Sequence, residues 1–133
     1  MKLITAYTVA AALLYQIASA GNTSCSNKGE TIAGDEIVDI KAVVLSYGGE
    51  YRVSGHDASV FAMVGGAGLL MRRIKFKALG GSTHLNASTV ANGVQEVIDC
   101  CFNHDYTECF GNTEATGDQG DTVNIEIRRY FGI

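Results

Sequence analysis

Four cysteines, at 25, 100, 101 and 109, carry the most definite chemistry in this 133-residue sequence. An even number of thiols in a short chain makes two disulfides where the compartment is oxidising. Zinc is the other common use of such residues, but no Cys-x-x-Cys pair is present and His56, His84 and His104 are scattered, so no metal is expected. Neighbouring side chains on a helix point about 100° apart, and a bridge between adjacent cysteines closes a strained ring. Cys100 and Cys101 are therefore expected to take different partners, Cys25 going to one of them and Cys109 to the other. The longer bridge closes a loop of about 75 residues, which in the chain-entropy account contributes about 4 kcal/mol.

Acid–base chemistry has weaker signals. His56-Asp57 and His104-Asp105 each offer a base beside an orienting carboxylate, and Glu50 and Arg52 with a histidine imitate the groups a secreted ribonuclease needs. Such His-Asp pairs more often form turns or caps. There is no Gly-x-Ser-x-Gly, no His-Glu-x-x-His and no phosphate loop. No catalytic residue and no cofactor is assigned on this basis. The basic residues are more suggestive as a surface. Arg73, Lys75 and Lys77 alternate with Ile74, Phe76 and Ala78, which predicts a strand with one wet face, and Arg72 adjoins it. Such a stripe suits anionic lipid, a cell-wall polymer or a channel vestibule; solvated strand decoration is the ordinary alternative. Arg72-Arg73 and Arg128-Arg129 are also dibasic pairs of the kind secretory convertases cut, the second lying nearer a terminus that would fray.

The elements that position these residues follow from composition and period. With 47% hydrophobic and 18% charged residues the chain is globular by composition, and its length suits one domain. A net charge of −4 argues against a nucleic-acid partner that relies on bulk attraction. Residues 1–20 run from Lys2 through an apolar stretch to Ala18-Ser19-Ala20, which reads as a secretory signal, leaving 21–133 as the mature domain. Asn22-Thr23-Ser24 and Asn86-Ala87-Ser88 are glycosylation sequons consistent with that route. With no proline and 16 glycines, the turns must be built by glycine.

A polar arm over 21–34 is expected to be pinned through Cys25. Ile37, Ile40, Val44 and Tyr47 fall at helical spacing after acidic residues and before Gly48-Gly49, so a helix is expected from Asp35; the alternation of Val38, Ile40, Ala42 and Val44 is the competing strand pattern. Strands are expected over about 58–64 and 69–79, because a helix through Gly65-Gly66-Ala67-Gly68 would lose near 1 kcal/mol per glycine. Val90, Val94, Val97, Ile98 and Cys101 predict a second helix over about 89–102, with Ser88 as its N-cap. Residues 104–121 read as a polar loop containing Cys109. Val123, Ile125 and Ile127 alternate with polar residues in a final antiparallel strand.

The succession of cysteine arm, helix, hairpin strands, helix ending in Cys100-Cys101, a segment with Cys109-Phe110-Gly111, and the strand Gly120-Asp121-Thr122-Val123-Asn124-Ile125 resembles the fungal killer-toxin superfamily, meaning the virally encoded toxins of smut fungi and the salt-mediated yeast toxin. The likeness lies in topology across most of the mature part and in few identical residues. This chain departs from the smut-type toxins in having fewer cysteines and an acidic balance; the yeast toxin is acidic too. The resemblance implies an α+β fold, a two-layer sandwich with an antiparallel sheet and two helices on one face. It also implies a secreted, non-enzymatic toxin acting on the membrane, a calcium channel or a cell-wall component of competing fungal cells. A host-directed effector on the same scaffold and a small secreted hydrolase such as a ribonuclease are the alternatives.

Overall fold

The structure is a computed structural model and describes residues 22–75 and 81–130. The expected signal segment, Lys77 and the strand end expected at 76–79 lie outside the described residues. Elements follow in the order β1 (Ser24–Ser26), β2 (Ile32–Ala33), α1 (Gly34–Tyr47), β3 (Glu50–Val53), β4 (Ser59–Val64), β5 (Ala67–Lys75), β6 (Thr83–Asn86), α2 (Ala87–Asn103), β7 (Glu108–Thr116) and β8 (Thr122–Arg129). The main sheet is antiparallel with strand order β1-β7-β8-β5-β4, and β2 also pairs with β7; β3 and β6 form a separate antiparallel ribbon.

Register explains which residues meet the helices. Leu69 pairs with Ile127 and Met71 with Ile125, while Ile127 pairs with Gly111 and Ile125 with Thr113 on the other side. These residues point to one face because side chains alternate along a strand. Ile37, Ile40 and Val44 of α1 and Val90, Val94 and Val97 of α2 bury against that face in a single core. The fold is therefore α+β, an antiparallel sheet carrying two helices on one side. Lys41 of α1 donates to Gln95 of α2 at 2.8 Å, so the helices lie alongside each other.

The helix expected from Asp35 forms and the strand pattern loses, because burial every three to four residues places three large side chains in the core together. Tyr47, expected on that face, is exposed and donates to the Glu50 carbonyl at 2.9 Å. The second helix starts earlier than expected. Asn86, not Ser88, is its N-cap, accepting from the Thr89 amide at 2.8 Å.

The loop expected over 104–121 is a correction of larger consequence, since residues 108–116 form β7, which pairs with β8 along one edge and with β1 and β2 along the other. Its inward residues are Cys109, Gly111, Thr113 and Ala115, small or polar where hydrophobic bulk marks most strands. Close packing of α2 requires that. A methyl at Gly111 would lie 2.7 Å from the Ser24 carbonyl oxygen and 2.8 Å from Val97, and one at Gly93 of α2 would lie 2.9 Å from Ile125. Gly93, inside the helix, is thus where helix and sheet touch.

Candidate functional site

Both disulfides sit at one end of the sandwich. Cys25 is bonded to Cys100 and Cys101 to Cys109, which resolves the pairing left open by the sequence. β1 brings Cys25 opposite Gly111, and α2 delivers Cys100 in its last turn. The two bridges differ in environment. Cys101 and Cys109 are buried, whereas Cys25 and Cys100 are half-buried. His104 follows the helix directly. Its Nδ1 is 2.8 Å from the Cys100 carbonyl oxygen, 3.8 Å from Cys25 Sγ and 4.0 Å from Cys100 Sγ. A carbonyl only accepts, so the proton of that contact belongs to Nδ1. Tyr106 stacks on the imidazole with centroids 5.2 Å apart. His104 thus faces sulfur and backbone, and its sequence neighbour Asp105 continues the turn by donating its amide to the Phe102 carbonyl.

The basic stripe is divided by the fold. Arg72 and Lys75 are exposed on the outer face of the sheet, opposite Asn124 and Thr122. Arg73, expected beside them, is 1% exposed on the helix side. The physical reason is a bulge: the register slips between Arg73 and Lys75, so Ile74 is the extra residue and Arg72 and Lys75 share one face although three apart. Arg73 forms an ion pair with the buried Asp121 and donates to the Ser54 and Gly81 carbonyls at 3.2 and 2.9 Å. It ties the β3–β4 connection, the approach to β6 and the start of β8 together. Composition could not reveal this, since Asp121 lies 48 positions away in sequence.

Arg128-Arg129 is also held. Arg128 pairs in register with Gly68 and its side chain meets Glu126 and, at 2.8 Å, Glu30; the Arg129 amide donates to the Glu30 carbonyl. Both dibasic pairs therefore lie in hydrogen-bonded strands rather than at a frayed end.

The β3–β6 ribbon brings together groups far apart in sequence. Its registers pair Glu50 with Asn86 and Arg52 with His84 on the face turned away from the core, at cross-strand spacings of about 5 Å. Asp118 from the β7–β8 turn orients His84: its carboxylate accepts from the His84 amide at 2.8 Å and lies 3.3 Å from Nδ1. That amide bond is the main reason the Asp118 carboxyl is held below its usual range. His56, by contrast, lies in the exposed β3–β4 connection. Of the sequons, Asn22 is exposed, and Asn86 caps α2 through Oδ1, leaving the capping atom distinct from the nitrogen that a glycan would modify. Among the described residues no helix is long and apolar enough to cross a membrane. No family model matches the chain, and no curated protein matches it.

Proposed function

We propose that the chain is a secreted, killer-toxin-like protein that acts at the surface of competing fungal cells by binding, with Arg72 and Lys75 on the outer sheet face as its contact to a membrane, channel or wall component. The observation that carries this reading is the Cys25–Cys100 bridge, which fastens the leading arm to the end of the second helix over a sheet bearing both helices on one side, the architecture the resemblance implies. Two disulfides agree with export. Val38, Val43 and Leu45 are exposed apolar residues on α1, on the other side of the sheet from Arg72 and Lys75. Growth inhibition of fungal lawns by the purified protein tests the proposal: Arg72→Glu combined with Lys75→Glu should abolish inhibition while circular dichroism stays unchanged. Full potency in that variant rejects the basic face, and an inert wild-type protein that instead retains a host protein from extracts points to the effector alternative.

A second reading has its own observation. Glu50, Arg52 and His84 share the outer face of one ribbon, with His84 oriented by Asp118, which supplies two acid–base groups and a phosphate-binding cation for RNA cleavage. Release of acid-soluble nucleotides from RNA, lost in His84→Ala, is its signature. Inhibition of fungal growth that survives His84→Ala separates the two readings.

A further inference from the structure

We infer that the Cys25–Cys100 bond is a thiol-exchange site, attacked at Cys100 by an external thiolate and releasing Cys25 as the leaving thiolate. The inference does not depend on the target proposed above. Exchange needs access, a stabilised leaving group and a sulfur that prefers to be attacked. Access separates the two bridges, because Cys101 and Cys109 are enclosed in the core while Cys25 and Cys100 are half-buried beside an exposed imidazole. Stabilisation comes from the Nδ1–H of His104, which is donated to the Cys100 carbonyl at 2.8 Å while the bridge is intact and, with Cys25 Sγ 3.8 Å and Cys100 Sγ 4.0 Å from Nδ1, turns to the sulfur once a thiolate is released; the Tyr106 ring stacks on the imidazole.

The direction of cleavage follows from the helix. Cys100 lies in the last turn of α2, whose carbonyl end carries partial negative charge and disfavours a second negative charge. Cys25 lies on a strand, without that penalty and nearer Nδ1. In balanced form, an incoming thiolate R–S⁻ bonds to Cys100 Sγ, the Cys25–Cys100 bond breaks with its electron pair going to Cys25 Sγ, and a mixed disulfide and one thiolate result. No separate oxidant or reductant is consumed. The arm is then held by the three registered pairs of β1 with β7, the side-chain bonds of Thr23 and Ser24, the β2–β7 pairs and the contacts of Glu30 and Thr31 with Arg128 and Arg129.

The test exposes the native, disulfide-bonded protein to glutathione, with a reduced single-cysteine peptide in a parallel arm, followed by acid quenching, alkylation and peptide mapping. The expected map has the adduct on Cys100, alkylation on Cys25 and an intact Cys101–Cys109 bond. Adducts from both thiols indicate a site open to proteins, and adducts from glutathione alone a site restricted to small thiols; either supports the inference. His104→Ala should slow adduct formation about ten-fold and His104→Gln, which keeps an N–H donor, should recover most of the rate. An adduct on Cys25, Cys101 or Cys109, Cys25 rejoined to Cys101 or Cys109, or an unchanged rate in a folded His104→Ala protein overturns it.

Discussion

The two ends of the sandwich are closed by different chemistry. At one end two covalent bridges converge on the last turn of α2; at the other, the buried Arg73–Asp121 pair joins three connections and the β7–β8 turn grips β6 through Asp118 and Thr83. A covalent bridge acts mainly by restricting the unfolded chain and tolerates changes of charge and pH. A buried ion pair depends on both partners staying charged and in place, and either one alone is a large liability. The sulfur end should therefore respond to thiols and the ionic end to charge removal and acid.

The largest effect should come at the ionic end. Arg73→Ala leaves Asp121 buried without its cation and should cost about 3–5 kcal/mol in urea denaturation. Replacing both, as Arg73→Met with Asp121→Leu, should cost much less than that single change, and equal losses would mean that the cost comes from the other contacts of Arg73, its bonds to the Ser54 and Gly81 carbonyls, and not from leaving Asp121 uncompensated. Removing the long bridge with Cys25→Ala and Cys100→Ala should cost about 4 kcal/mol, with dithiol treatment then producing no further loss until the buried bridge opens. Gly111→Ala, which forces a methyl against the Ser24 carbonyl, should cost about 1–3 kcal/mol and loosen β1, read as faster amide exchange at 24–26. The smallest effect concerns acid. The Asp118 carboxyl is held low in the fold, so its contribution is present above the ordinary carboxylate range and fades as pH falls through the lowered value. Asp118→Asn should lower the denaturation midpoint slightly near neutrality and reduce its fall as pH drops below the ordinary carboxylate range; a midpoint with the same acid slope as wild type would show that the β7–β8 turn does not grip β6 through this charge.

The two helices, the β4–β5 hairpin and β8 were legible because each buries one face with a regular period. β7 was not, because Cys109, Gly111, Thr113 and Ala115 alternate by smallness rather than by hydrophobicity; that period of small residues was the available signal. β3 and β6 were missed because Tyr51, Val53, Thr83 and Leu85 are too few per strand to show a period. The stripe misplaced Arg73 because strict alternation has no means of anticipating a bulge at Ile74. His84, absent from the pairs singled out beforehand, gains its carboxylate from a turn 34 positions away.

Residue type and spacing alone determined that the chain makes an α+β domain, that its neighbouring cysteines diverge, and that an arm is bound to a helix end, because these rest on local period and on the geometry of adjacent side chains. Tertiary structure alone decided which cysteine meets Cys25, which arginine is buried, and which histidine lies beside sulfur and which beside Arg52. Those outcomes depend on strand register, where a shift of one residue turns a side chain from solvent to core.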